Sequence, residues 1–280
     1  MPRRQTTLAS SGSVSGIGLH TGAVVTLTLL PAPINHGIQF KHNSRVIDAH
    51  VSHVRNTERH TALGEGESTI LTVEHVLSAL YGMEVDNVLI ELTAHEPPIC
   101  DGSAKAFVEL IRHCRIIKQD ALTSILKLRE PIRVEKPGGS ILLALPYDGL
   151  RVTCTFADSV RNITQYHDLV ITSSNYATDI SQARTFVAFE DVEGLRQLGL
   201  IKGGVEGENA LVIRDGKVPP LLWPDELARH KVLDFVGDLA LLGRRVEAHF
   251  VLVKPGHGVN AALVRELARV TEGCESESRL

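Results

Sequence analysis

No run of apolar residues in this chain approaches the roughly 20 needed to cross a bilayer as a helix. No stable membrane insertion is expected, and a lipid substrate would have to come to the protein. Arg3 and Arg4 are followed by Gln5 to Ser15, mostly Ser, Thr and Gly, where a secretory signal would carry an apolar stretch. The four cysteines, Cys100, Cys114, Cys154 and Cys274, show no Cys-x-x-Cys spacing. That argues against a disulfide framework and against a thiolate metal site, and they read as isolated reduced thiols. An excess of one charge is also lacking: 29 Lys+Arg face 33 Asp+Glu, a formal net charge of −4. Such a chain has no general reason to hold nucleic acid or an anionic membrane, so an anionic ligand must be met by a local basic group. The expectation is a soluble, cytoplasmic, monomeric protein.

What is present is ample material for two cores: 280 residues, 43% of them hydrophobic. At roughly 100–200 residues per domain, two domains are the natural expectation. Val24 to Leu30, Gly37 to Phe40 and Val88 to Leu92 read as strands. Thr72 to Tyr81 has helical periodicity with Gly82 as its C′ residue, and Ala104 to Cys114 reads as a second helix. The pattern lapses into polar residues around Gln119 to Ser124, where the domain boundary is placed. Strands resume at Ile132 to Glu135, Ser140 to Leu145 and Leu150 to Phe156. Helices follow at Asp191 to Leu198 and Glu226 to Leu242, then a strand at Ala248 to Lys254. Gly273 to Leu280 read as a frayed end. Neither half alternates strictly β-α-β, which favours α+β layers over a doubly wound parallel sheet.

Two short runs carry the chemistry: Glu74-His75, and His230-Lys231-Val232-Leu233-Asp234. His230 and Asp234 lie one helical turn apart on one face. With His75 they make three ligands suited to zinc, and Glu74 is a spare carboxylate for a proton. On the helical wheel, Val232, Phe235, Val236, Leu239 and Ala240 cluster on one side, with His230, Asp234 and Asp238 on the other. The polar trio is therefore expected to point away from the core this helix builds. A solvated charged face is the ordinary alternative, but the dense Lys/Glu mixture of such a face is missing. On the earlier helix, Val73, Val76, Leu77 and Leu80 form the stripe and Glu74, His75 and Ser78 lie off it. Lys254-Pro255-Gly256-His257 puts a His on a turn at a strand end, well placed to enter a cleft.

The chain resembles the UDP-3-O-acyl-N-acetylglucosamine deacetylase family in a series of such segments. They are Gly16-Ile17-Gly18-Leu19-His20-Thr21-Gly22, Ser68-Thr69 through Glu74-His75, Asp86-Asn87-Val88, Asp101-Gly102-Ser103, Ser181 to Phe186, Gly203-Gly204, His230 to Asp234 with Gly237-Asp238, and Lys254 to His257. Each is short; their number, order and spacing make the likeness specific. The resemblance implies two α+β domains of similar topology, 1–122 and 123–280. Each would be a sheet layered on a pair of helices, with the active site between them. It implies a small insert at about 57–67, and a βαβ insert at about 187–213 forming an apolar passage for an acyl chain. Leu195, Leu198, Leu200 and Ile201 are candidate walls of that passage.

By the same resemblance His75, His230 and Asp234 bind zinc, although iron(II) also suits two His and one carboxylate. Glu74 is the general base, Thr185 an oxyanion donor, His257 the acid for the leaving amine and Asp238 its orienting partner. Lys231 acts near the sugar or diphosphate, and Phe186 and Gly204 lie against substrate. The implied substrate is UDP-3-O-(3-hydroxyacyl)-N-acetylglucosamine, deacetylated at the committed step of lipid A synthesis. Phe156-Ala157-Asp158-Ser159 departs from the Asp-Phe-x-His-Pro run usual in the family. Two alternatives are a zinc amidohydrolase for another N-acyl sugar and a non-catalytic sugar-nucleotide or lipid-binding protein.

Overall fold

The computed structural model describes residues 3–65 and 68–277. Positions 66 and 67 of the expected first insert, and 278–280 of the expected frayed end, lie outside the described residues. The elements up to residue 122 are β1 (Arg4–Leu8), β2 (Gly12–Ile17), β3 (Val24–Pro31), β4 (Ile38–His42), β5 (Arg45–Asp48), β6 (Val54–Asn56), β7 (Ala62–Glu65), β8 (Ser68–Ile70), α1 (Glu74–Gly82), β9 (Val88–Leu92), α2 (Lys105–Cys114) and β10 (Ile116–Leu122). Those that follow are β11 (Ile125–Lys127), β12 (Ile132–Lys136), β13 (Ser140–Leu145), β14 (Leu150–Asp158), β15 (Ile163–Val170), α3 (Ser173–Asn175), β16 (Phe186–Ala188), α4 (Phe189–Gln197), β17 (Leu211–Ile213), α5 (Glu226–Ala240), β18 (Arg245–Val253) and α6 (His257–Glu277).

Two main sheets share one plan. In the order β2-β3-β9-β4-β5, the strand after α1 enters the middle, antiparallel to β3 and parallel to β4. In the order β12-β13-β18-β14-β15, the strand after α5 enters the same place, antiparallel to β13 and parallel to β14. Each inserted strand is followed by a further helix, α2 or α6. The architecture is α+β, as expected. The segment at 54–70 is a small antiparallel sheet, β6-β7-β8. The segment at 186–213 is a βαβ unit whose strands β16 and β17 pair in parallel.

The helices form the inner layers. α1 packs chiefly on α5, α2 on β2, and α6 on β12 and α5. The apolar core runs continuously from Leu27 and Phe40 under the first sheet, through Leu77 and Phe235, to Phe250 under the second. The Phe235 and Phe250 rings sit 4.9 Å apart, and truncating either to Ala would cost about 3–5 kcal/mol. Gly237 permits the closest helix contact. A Cβ there would lie 2.1 Å from the Glu74 carbonyl oxygen, so any side chain would push α5 off the first turn of α1.

Several expectations need correction. Gly82 is not a C′ residue but the last residue of α1, capped by Met83. Its lack of a side chain serves packing, since a Cβ would lie 2.3 Å from the Tyr176 ring. The polar stretch before residue 123 is mostly strand: β10 pairs with β1 in a surface ribbon, where polar side chains face solvent. The polar side of α5 does not face away from packed protein. Every residue from Val232 to Ala240 is buried, because the helix is covered on all sides. Residues 273–277 continue α6 rather than fray.

Candidate active site

α5 carries Glu226, His230, Asp234 and Asp238 at intervals of four, a single buried stripe. The first turn of α1, held close by Gly237, brings Glu74 and His75 against it. His75, His230 and Asp234 each offer one ligand atom, all within 4.8 Å of one another. Asp234 Oδ1 lies 3.3 Å from His230 Nε2 and 3.8 Å from His75 Nε2. Ligands at zinc distances in a tetrahedron stand roughly 3.3–3.5 Å apart; the His230–Asp234 pair has that spacing and His75 stands somewhat wider, near enough to make the three a candidate set for one ion. His230 Nδ1 donates to the Ala183 carbonyl at 3.0 Å, which leaves the Nε2 lone pair for a metal.

The protonation states agree with that role. Burial pushes His75 down to about 3 and also lowers His230, keeping both rings neutral. Burial works against the Asp234 carboxylate, but the surrounding His and Lys side chains hold it well below its usual range. Lys231 Nζ donates to Asp234 Oδ2 at 2.7 Å and stands 5.0 Å from the centre of the Phe186 ring.

Beside this group, His257 opens α6 with Nε2 3.7 Å from Glu74 Oε1, and its Nδ1 donates to Asp238 Oδ2 at 2.9 Å. Burial works against a charged His257 ring, but Asp238 and Glu74 overcome it and push it up to about 10. Burial pushes Glu74 up to about 7, with His257 opposing. Both segments enter through unusual backbone. Thr72 has φ +52° and Lys254 φ +50°, conformations that non-glycine residues adopt only when their surroundings hold them. Thr72 is held by its hydroxyl, which donates to buried Glu96 at 2.6 Å.

The group stands in a cavity of about 630 Å³ whose rim carries Lys136, Lys254, Arg161 and Arg59. Thr185 and Phe186 line this cavity and also a second of about 310 Å³, built mainly from the βαβ unit. Gly204, Leu195 and Ile201 line the second cavity, together with Val192 and Val212. Leu198 and Leu200 do not: Leu198, the C-cap residue of α4, is 76% exposed. Asp158 and Ser159 also line the larger cavity, but the Asp158 carboxylate already accepts from Val160 N–H, Arg161 N–H and the Arg161 side chain.

Sequence reasoning missed several participants. Thr61 donates its N–H to Glu74 Oε2 at 3.0 Å and its hydroxyl to Asp238 Oδ1 at 2.6 Å. Asn260 donates to Asp238 Oδ2 at 2.8 Å. Glu226 sits one turn before His230, so the step that links His230 to Asp234 would have reached it. Thr61 and Asn260 carry no such signal. His20 and His60 are buried with ring centroids 4.7 Å apart, and neither His20 Nε2 nor either His60 ring nitrogen has a protein partner.

Two imidazoles and a carboxylate within 4.8 Å of one another, with a further carboxylate and imidazole beside them, are a candidate metal-binding set of the kind that mononuclear metallohydrolases use. Comparison with known proteins agrees. Residues 5–269 match the model of the UDP-3-O-acyl N-acetylglycosamine deacetylase family. A Chlamydia abortus protein named UDP-3-O-acyl-N-acetylglucosamine deacetylase is 39% identical, covering 97% of this chain and 99% of its own. Proteins of the same name from Myxococcus xanthus and Coxiella burnetii are 40% and 38% identical, each covering 94% of this chain and 86% and 90% of their own. The chain belongs to this deacetylase family.

Proposed function

We propose that the chain hydrolyses the N-acetyl amide of UDP-3-O-(3-hydroxyacyl)-N-acetylglucosamine, releasing acetate and UDP-3-O-(3-hydroxyacyl)-glucosamine, in the cytoplasm and as the committed step of lipid A synthesis. The observation that carries the reading is the convergence of His75, His230 and Asp234 beside Glu74 and His257 in one cavity. His75 and Asp234 come from opposite sides of the residue 122/123 junction, which supports a site between two domains, 1–122 and 123–280.

His75, His230 and Asp234 would hold zinc, or iron(II) in its place. Bound there, the ion supplies Lewis acidity that polarises the acetamide carbonyl and makes water easier to deprotonate. Glu74 takes the proton of the attacking water through the oxygen that faces His257. The Thr185 hydroxyl, on the cavity wall, donates to the carbonyl oxygen as charge develops on it. His257, charged and held by Asp238, protonates the departing amine; unprotonated, that amine leaves very poorly. Lys231 and the basic rim meet the sugar and diphosphate, and Phe186 and Gly204 contact substrate. The second cavity, with apolar walls at Val192, Leu195, Ile201 and Val212, takes the acyl chain; the presence of such walls supports an acylated sugar over a simple N-acetyl sugar.

The test is metal analysis of the purified chain with an acetate-release assay on the acylated UDP-sugar. One equivalent of zinc with acetate release is expected. Stoichiometric zinc without acetate would sink the substrate assignment and leave a hydrolase.

A further inference from the structure

Glu226 begins the stripe that His230, Asp234 and Asp238 continue, yet it lines neither cavity. Its side chain is wholly buried. Oε1 accepts from the Arg184 backbone N–H at 3.1 Å and from Arg184 Nε at 2.8 Å. Oε2 accepts from Arg184 Nη2 at 3.0 Å and from Leu222 N–H at 2.6 Å. Taking the Glu226 carboxylate wholly out of water costs energy that its attraction to the part-exposed Arg184 largely has to offset, so the pair is weak evidence for a role in stability.

The neighbours of Arg184 supply a reason. Ala183, one residue earlier, accepts the His230 Nδ1 proton. Thr185, one residue later, faces the cavity, while its backbone bonds Gly102 O and Leu211 N–H at 2.7 and 2.9 Å. Residues 183–185 are thus gripped by α5 at two points one helical turn apart, Glu226 and His230. The tripeptide cannot slide along α5 without breaking both grips.

We propose that Glu226, through its ion pair with Arg184, is a positioning residue that sets the His230 ring and the Thr185 hydroxyl together. The inference rests on the metal-dependent deacetylase reading above. The test uses the purified full-length chain, with zinc affinity read by chelator competition and kcat and KM by acetate release. Glu226→Gln keeps the side chain's size and loses the ion pair. Its zinc affinity is expected to fall roughly tenfold or more, as for other groups that orient a metal ligand. Its kcat should fall at least about tenfold with KM within about threefold, because the defect lies in positioning and not in substrate grip. Arg184→Met reads the pair from its other end, and the double variant should be no worse than the poorer single one. Folded variants with zinc affinity and kcat within about twofold of the parent would show a purely structural pair and overturn the inference. A parent chain that takes up no zinc would sink the metal reading and this inference together. A parent chain that binds zinc, with zinc affinity and kcat both unchanged in the variants, would sink this inference alone.

Discussion

Two clusters in this molecule look alike in composition and differ in what their atoms are free to do. On the outer face of the second sheet, Arg151 grips Asp168 with two hydrogen bonds of 3.0 and 2.7 Å. Thr153 donates to Asp168 Oδ1 at 2.7 Å and meets His249 Nε2 at 2.8 Å. Cation, carboxylate, hydroxyl and imidazole are all there, half-exposed, and neither cavity of the site reaches them. Their polar atoms are directed at one another. In the candidate site the imidazoles and carboxylates are buried, and the ligand atoms of His75, His230 and Asp234 lie within 4.8 Å of one another. Composition does not distinguish the clusters; burial and convergent lone pairs do.

The sharpest way to break that comparison is to remove the proton-handling pair. Glu74→Ala and His257→Ala should each lower turnover by roughly two to four orders of magnitude. Both should keep their zinc, since neither supplies one of the three converging atoms. Metal analysis beside acetate release checks this, and a variant that lost its metal would contradict the assigned role. A smaller effect, on selectivity, comes from the passage. Val212→Phe narrows the apolar cavity and should raise KM for a long-chain substrate roughly tenfold while sparing a short-chain one. Equal losses for both would remove the acyl chain from this cavity.

Legibility followed physical range. The strand Val88–Leu92 and the start of α5 at Glu226 carry local periodicity, and the structure places both where that periodicity puts them. Glu74-His75 and the His230 run were readable as off-stripe positions, and the structure brings them together. What surrounds α5 was not readable. A wheel shows which residues share a face and not what covers that face, so burial on all sides went unseen. Gly82 misled for a similar reason: local signals read glycine as a stop, while a ring 94 residues away required it. Thr61 contributes through a backbone N–H and one hydroxyl, and no spacing rule reaches from there to Asp238, 177 residues on.

Thr61 therefore tests whether convergence needs its supports. Thr61→Val keeps the β-branched shape and the N–H to Glu74 but deletes the hydroxyl to Asp238. Leaving a buried acceptor short of a donor costs about 1–3 kcal/mol. A loss of up to roughly tenfold in kcat with KM unchanged is expected; unchanged kcat would confine Thr61 to stability. His60 tests burial itself. Burial and neighbouring His20 push it down to about 4, with Glu96 opposing and His257 adding to the depression. Below the unfolded value of 6.5 the unfolded chain takes a proton that the folded chain refuses until about pH 4. The contribution is complete above pH 6.5 and falls as pH drops toward 4, by roughly 3 kcal/mol at most. Urea unfolding at pH 7 and pH 5 should show a smaller acid loss for His60→Gln than for the parent; equal losses would count against a neutral buried His60.

The smallest effect belongs to the outer cluster. Arg151 holds Asp168 down to about 2 from 3.8, helped by the Thr153 hydroxyl, with partial burial opposing. The sign is opposite in origin to His60 but alike in direction. The stabilisation is present above pH 3.8 and lost as pH falls through about 2. Because both side chains are partly exposed, solvent screens the pair. Arg151→Ala should leave zinc content, kcat and KM at parental values at neutral pH and lower Tm only slightly, with the deficit shrinking as Asp168 titrates in acid. Its distance from both cavities makes it the control for the comparison. A clear loss of turnover in Arg151→Ala, with Tm nearly unchanged, would mean that the outer cluster acts on the site and that convergence on a cavity is not what separates the two.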